Sequence, residues 1–362
     1  MKIINVDTNL YRIPLSRALE NALFTYTAFE YVLTEVQTDD GRCGTGWVYT
    51  VGAGGSAVKA TIDDYLAPYI SGRQALQTVE VHSAARRLLS PVAGVTSSLA
   101  IAALDIALWD LKAKVADLPL YQLLGGARDR VAICASGIDL NYSVSELVEE
   151  VEEWVDQGYA AAKIKVGKPT VSEDVARLEA VRERLPDGFM LLVDAQQGWS
   201  VGEACRRIRA FEPLDIGFLE DPLPISDVAG YRELRAKSMI PIAGGETLSS
   251  AAAFAPFING EGLDVVRNDV CRLSGITEWM RVAHLAEANH LVSCPHFVEE
   301  ISVQLACAVA AVHSIEHVPL IRLVNVGVVA DTSPVIAGHV APPPTAGHGV
   351  AFDRERLTEF AA

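Results

Sequence analysis

Residues 161–167 read AAKIKVG and put two lysines two positions apart inside an otherwise apolar run. Side chains alternate along a strand, so Lys163 and Lys165 project from one face while Ala162, Ile164 and Val166 fill the other. On an edge strand, such lysines would merely discourage aggregation. In a central strand both ammonium groups must point into something, and what recurs downstream decides between the two readings.

From about residue 130, short apolar strands alternate with amphipathic helices, the βα rhythm of a parallel sheet or barrel. Strands are predicted near 131–136, 161–166, 190–194, 216–220, 241–245, 264–267, 291–294 and 312–316, enough to close a (β/α)₈-type barrel. Three helix starts carry a capping box: Ser143 with Glu146, Thr170 with Glu173, and Ser200 with Glu203. At the C-terminal ends of the strands stand Lys163 and Lys165, Asp194 (LLVDAQQGW), Glu220 (GFLEDPL), Glu246 (PIAGGETL), Asp269 (VVRNDV), His296 (VSCPHF) and Glu316 (HSIEHV). The steps from Lys165 onward are 29, 26, 26, 23, 27 and 20 residues, each about one βα unit. Reacting groups of such barrels come from these ends, so the series would surround a single mouth. The AAKIKVG strand is therefore read as central.

Asp194, Glu220 and Glu246 come from three consecutive predicted strands and would converge. Three carboxylates that close repel unless a cation lies between them. All-oxygen ligation suits Mg²⁺, whereas zinc favours nitrogen or sulfur. Asp221 faces the other way on a regular strand and reads as a supporting or helix-start residue. Lys163 and Lys165 share a face, so each is expected to depress the other's pKa and allow a neutral lysine near neutral pH. On the other flank, His296 can pair with Asp269, which would fix the imidazole tautomer and support its charged form. The remaining seven histidines lack such placement and read as structural or surface residues.

The rest of the chain is consistent with a soluble enzyme. At 362 residues it exceeds a usual single core, and half of its residues are hydrophobic with 21% charged. The opening MKIINVDTNLYRI lacks the apolar core of a signal peptide, and no apolar run is long enough to span a bilayer, so a cytoplasmic location without membrane contact is expected. A formal charge of −16 argues against nucleic acid as a partner and requires a metal or local lysines to reverse the field for an anionic substrate. Six scattered cysteines form no C-x-x-C pair and read as core thiols. Residues 1–125 read as α+β, with extended segments at 2–13, 30–38 and 44–51 and helices at 55–70, 75–90 and 97–116, the last with a serine cap. The barrel is expected over 126–319, and 320–362, which lacks the βα rhythm, is expected to return to the N-terminal part. The Gly-rich VGAGGS at 51–56 lacks the Lys-Ser/Thr of a phosphate loop and reads as a mobile lid.

KIK, VDAQQGW, LEDP, GGE, the Asp269–His296 pair and Glu316 together resemble the enolase superfamily, specifically its mandelate racemase subgroup, over the whole chain. The resemblance implies an α/β fold: a modified TIM barrel, (β/α)₇β, under an α+β capping domain formed by the N-terminal part and the C-terminal tail. It implies Asp194, Glu220 and Glu246 as Mg²⁺ ligands, Lys165 as base on one face of a small carboxylate substrate, and His296 with Asp269 as acid or base on the other. Lys163 would neutralise the substrate carboxylate. Glu316 would donate a hydrogen bond to the enediolate, which requires a raised pKa.

YTVGAGGSAV, SGIDL, VAHLAEA and GHGVAFD are similar to galactarate/talarate-type acid-sugar dehydratases, implying a hydro-lyase of carbohydrate catabolism that forms a 2-keto-3-deoxy acid. A racemase or epimerase of a 2-hydroxy acid would use the same residues. Family habit and the apolar surplus imply a homo-oligomer. The chain departs from the pattern at Gln196, where asparagine usually borders the substrate, at Arg267-Asn268 in place of Gln-Pro, and at Ser274 in place of glycine. For a distal substrate carboxylate the cap offers Arg17 or Lys59.

Overall fold

The computed structural model describes residues 1–330 and 333–362. The chain opens with an antiparallel sheet of β1 (Ile3–Glu20), β2 (Thr25–Thr38) and β3 (Cys43–Thr50), in that order. Three helical segments follow: α1 (Gly55–Thr61, continued by Ile62–Leu66 and Ala67–Ile70), α2 (Thr78–Leu88) and α3 (Val95–Ala116). α3 carries Ala, Leu and Ile on every side, as a helix must when it is enclosed all round. β3 lies directly on it because Gly44 and Gly46 have no side chain: a Cβ there would meet Ala107 O at 2.0 Å and Ala103 O at 2.2 Å. The serine cap expected for this helix is not its start. The helix begins at Val95 behind Gly94, and Ser97 turns its hydroxyl back onto the Val92 carbonyl at 2.6 Å.

The barrel strands are β4 (Val131–Ser136), β5 (Ala161–Lys165), β6 (Met190–Asp194), β7 (Ile216–Glu220), β8 (Ile242–Gly244), β9 (Val265–Val266), β10 (Val292–Ser293) and β11 (Ser314–His317). They pair in parallel from β4 to β10, β11 pairs with β4, and a bridge between Ser293 and Val312 closes the ring. Seven helices coat it: α4 (Val144–Asp156), α5 (Val171–Arg182), α6 (Val201–Phe211), α7 (Val228–Lys237), α8 (Ala251–Ile258), α9 (Ile276–Ala288) and α10 (Glu299–Ala308). This is the (β/α)₇β barrel that was expected. Apart from the charged residues that point into the mouth, the strands are apolar on both faces because helices cover the outside and side chains fill the inside. Register does the rest, since Lys165 stands beside Asp194 and Asp194 beside Glu220 across adjacent strands.

Two of the three expected capping boxes form reciprocally, at Ser143/Glu146 and Thr170/Glu173. At the third, the Ser200 hydroxyl accepts from Glu203 N, but the Glu203 carboxylate pairs with Arg206 and Arg207 instead of turning back. The C-terminal segment meets the N-terminal sheet, with Ala362 N donating to Leu10 O, Arg12 N donating to Phe360 O, and Phe352 packing edge-on against Trp47. It also lays a short strand, β12 (His339–Val340), antiparallel on β4. Among the described residues, no helix is long and apolar enough to cross a membrane.

Candidate active site

Asp194, Glu220 and Glu246 present carboxylate oxygens that all lie within 4.8 Å of one another, and all three residues are buried. Their supports are specific. Asp194 Oδ1 accepts from Gln196 N at 2.8 Å, and Glu246 Oε1 accepts from Gln196 Nε2 at 2.7 Å. Among the described residues Glu246 Oε2 accepts no hydrogen bond, although it is buried; His296 Nε2 lies 3.1 Å from it. An orphaned carboxylate oxygen facing two further acids suits a hard cation, so the triad is placed for Mg²⁺.

Asp221 turns away from the triad, as its neighbour's orientation requires, with φ +40. Its Oδ1 accepts from Gly245 N at 3.3 Å and its Oδ2 from Gln197 Nε2 at 3.2 Å, tying together the loops that follow β6 and β8. Burial, then the charges of Glu246, Glu220 and Asp194, raise its carboxyl well above the ordinary range.

The two lysines do point into the barrel mouth. Lys165 Nζ lies 2.5 Å from Asp194 Oδ2; Lys163 Nζ lies 2.6 Å from Glu220 Oε2 and 2.7 Å from Glu316 Oε1. The expected mutual lowering of their pKa values is outweighed. Burial works downward on both, and Lys163 lowers Lys165, but the surrounding carboxylates hold both ammonium groups above the ordinary lysine value.

Glu316 also differs from expectation. Burial alone would raise its carboxyl, but Lys163, Arg267 and His296 hold it well below the usual range. Its Oε1 accepts from Ser136 Oγ at 2.7 Å, and its Oε2 takes Arg267 Nη2 at 2.7 Å. All of these partners donate, so in this arrangement Glu316 accepts hydrogen bonds, whereas the role read from the sequence requires it to hold a proton.

His296 and Asp269 pair as expected, Nδ1 to Oδ2 at 2.7 Å. Asp269 Oδ1 accepts the backbone N–H of Cys271 and Arg272, which fixes the carboxylate. Burial lowers the imidazole pKa, but Glu246 and Asp269 more than offset this and favour the charged ring. Phe297 stacks on the imidazole, centroids 3.9 Å apart. Phe297 and Val298 both have positive φ, +48 and +46, a conformation that costs a β-branched residue most.

Three contributors were missed by sequence reasoning. Tyr49, from β3, donates its hydroxyl to Asp269 Oδ2 at 2.6 Å, bringing the N-terminal sheet into the histidine–aspartate pair. Asn21, in the β1–β2 hairpin, donates to Gln196 Oε1 at 2.9 Å. Arg267 is buried and bonded to both Glu220 and Glu316. Only the last had a visible signal, an arginine two residues before Asp269 in the segment that follows β9.

Gln196 spends its amide on Glu246 and Asn21, so it supports the triad instead of presenting a free amide to a substrate. Arg17 is not brought to the site. Its guanidinium lies over the Tyr142 ring at 3.9 Å and 3.4 Å from Glu146, on the surface. Lys59 pairs with Asp63 one helical turn away. The Gly-rich segment expected as a lid is held at two points, Gly52 O accepting from Arg12 Nη1 at 2.6 Å and Gly55 N donating to Glu30 Oε2 at 2.8 Å.

Comparison with known proteins agrees with this geometry. Residues 4–125 match the mandelate racemase / muconate lactonizing enzyme N-terminal domain, and residues 146–356 match the enolase C-terminal domain-like family. A 3,6-anhydro-alpha-L-galactonate cycloisomerase of Streptomyces coelicolor is 36% identical over 364 residues, covering 99% of each chain. An L-talarate/galactarate dehydratase of Salmonella typhimurium is 34% identical over 80% of this chain and 73% of its own. A racemase from Streptomyces coelicolor A3(2), solved with bound magnesium, superposes with a TM-score of 0.96 at 35% identity, over 99% of this chain and 100% of its own.

Proposed function

The chain belongs to the mandelate racemase / muconate lactonizing enzyme family of the enolase superfamily, and we propose that it removes the proton α to the carboxylate of an acid sugar and expels the oxygen on the β-carbon. The carrying observation is that two proton-transfer groups stand at opposite ends of one carboxylate triad: Lys165 against Asp194, and His296 with Nε2 3.1 Å from Glu246. Mg²⁺, when held by Asp194, Glu220 and Glu246, supplies Lewis-acid charge at the substrate carboxylate and weakens the pull of these ligands on neighbouring ammonium groups.

In this reading Lys165, as its neutral amine, takes the α-proton, and the electron pair passes into the enediolate. Lys163, a permanent cation, bonds the carboxylate as its charge grows. The pair then returns to form the double bond to the β-carbon as the carbon–oxygen bond breaks, and His296 Nε2 gives the departing oxygen its proton. The Nδ1–H bond to Asp269 keeps Nε2 as the working nitrogen. The enol takes a proton on the β-carbon and becomes a 2-keto-3-deoxy acid. Acid–base help supplies only about 10²–10⁴-fold, so most of the barrier falls to the charges.

If the expelled oxygen is a hydroxyl, the reaction is a dehydration. If it is tethered in a ring, the same steps open the ring and the product is an isomer. The second case is favoured by the end-to-end match to a cycloisomerase. The outward turn of Arg17 and the aromatic wall of Phe29, Tyr49 and Phe297 favour a compact monocarboxylate over a diacid. Incubating the Mg²⁺-loaded enzyme in D₂O with open, lactone and anhydro acid sugars separates these outcomes. Loss of water with a new 2-keto acid is dehydration, a 2-keto acid isomeric with the substrate apart from deuterium gained at C3 is ring opening, and deuterium at C2 of recovered substrate is racemisation. The proposal fails if no acid sugar yields a 2-keto acid.

A further inference from the structure

Four buried ions close on one another at the floor of the site. Lys163 Nζ bonds Glu220 Oε2 at 2.6 Å and Glu316 Oε1 at 2.7 Å. Arg267 completes the circuit, with Nε 2.7 Å from Glu220 Oε1 and Nη2 2.7 Å from Glu316 Oε2. Within this ring each carboxylate oxygen takes one nitrogen, the four charges cancel, and none of the side chains is more than 2% exposed. The third guanidinium nitrogen, Nη1, donates to Cys294 O at 2.9 Å and lies 3.0 Å from Cys294 Sγ, two residues from His296. Only a planar fork can reach Glu220, Glu316 and the β10 end together; an ammonium is a single point of charge. Remove the fork, and two buried carboxylates share one lysine, the arrangement in which breaking a buried pair is most costly.

We propose that Arg267 is a positioning residue for the metal centre: it holds Glu220, Glu316 and Lys163 in line and keeps the floor of the site neutral. Its fixed positive charge beside Glu220 also weakens the attraction of the triad for a cation, so the site gives up metal affinity for alignment of Lys163. The inference rests on the reading that Asp194, Glu220 and Glu246 hold Mg²⁺.

The test combines calorimetric titration of Mg²⁺ into metal-stripped protein with turnover at saturating Mg²⁺. In Arg267→Gln, Mg²⁺ binding should tighten by about fivefold or more because a like charge has gone, while kcat falls by about tenfold or more because Lys163 is no longer aligned. Arg267→Lys keeps the charge but not the fork, so it should retain Mg²⁺ affinity within about twofold and still lose turnover. Loss of both affinity and turnover in Arg267→Gln, or unchanged turnover in either variant, overturns the proposal in favour of simple packing. Should Arg267→Gln not fold, the double variant Arg267→Gln/Glu316→Gln, which removes one cation and one anion, is expected to fold and to bind Mg²⁺ as the parent does; a double variant no more stable than the single one overturns the neutral ring. The underlying metal reading fails separately, if the parent protein takes up no Mg²⁺ or Asp194→Asn leaves uptake unchanged.

Discussion

Asp105 links the two layers of the molecule and should make its stability depend on pH. It lies in α3 and is 1% exposed; its Oδ2 accepts from Thr277 N at 2.8 Å and its Oδ1 from Thr277 Oγ1 at 2.7 Å, at the start of α9. Burial pushes its carboxyl up to about 7, against the hydrogen bonds from Thr277 that pull it down. In the unfolded chain it would titrate near about 3.9. The folded state therefore binds more protons between these values, and its contribution to stability is full below about pH 4 and lost as pH rises through about 7. The whole window spans about 3 units, or about 4 kcal/mol at about 1.4 kcal/mol per unit. Between pH about 5.5 and about 8, clear of the isoelectric region, about half of that remains, roughly 2 kcal/mol. Asp139, Glu150 and Glu300 are also raised by burial, so the effect must be isolated by difference. Asp105→Asn is neutral throughout and can still serve Thr277. Urea unfolding followed by tryptophan fluorescence should show the variant gaining about 2 kcal/mol on the parent from the lower pH to the higher. A stability difference constant to within about 0.5 kcal/mol would refute the reasoning, because Asp105 would then titrate alike in both states.

The triad predicts that Asp194→Ala or Glu246→Ala abolishes Mg²⁺ uptake measured by calorimetry; retained uptake would move the metal elsewhere. Replacing His296 by Asn should abolish 2-keto acid formation yet leave α-deuterium exchange catalysed by Lys165, whereas Lys165→Ala should lose that exchange. Full turnover in His296→Asn would make Lys165 responsible for both transfers. Tyr49→Phe removes one of two hydrogen bonds on Asp269 Oδ2 and should cost about 1–2 kcal/mol in the step that uses His296, about tenfold in kcat, with Lys165-face exchange unchanged; an equal loss on both faces would mean a general disturbance of the site.

The strand ends were legible because the barrel obeys a simple rule: one βα unit carries each chain segment from mouth to mouth, so Lys165, Asp194, Glu220 and Glu246 recur at the spacing of that unit. Identity and position follow from local pattern, but protonation does not. The sign of the shift at Lys165 depends on Asp194, Glu246 and Glu220 together outweighing burial and Lys163, and the charge of Glu316 depends on Lys163 and Arg267, which reach it from other parts of the barrel. Tyr49 was hidden for a related reason, since its partner Asp269 is 220 residues away. Ser97 shows the limit of cap signals: a Gly-Val start displaced the helix by two residues, and the serine was left to serve a turn. Arg17 was chosen for its charge alone, and an aromatic face outside the mouth claims it.

The ring of barrel strands is not uniformly sewn. β5 and β6 align over five residue pairs, but β10 meets the segment before β11 at the lone bridge of Ser293 and Val312. Local opening starts where few backbone bonds resist it, so that seam is expected to be the compliant side of the ring and the β5–β6 pairing its stiff side. Lys163, Lys165 and Asp194 sit on the stiff side, where small displacements would spoil alignment with the metal. His296 and Glu316 flank the compliant seam, with the strained Phe297–Val298 turn between them. In the proposed reaction the donor to the departing oxygen would thus sit where the barrel is least paired, and the groups that hold the carboxylate where it is most paired.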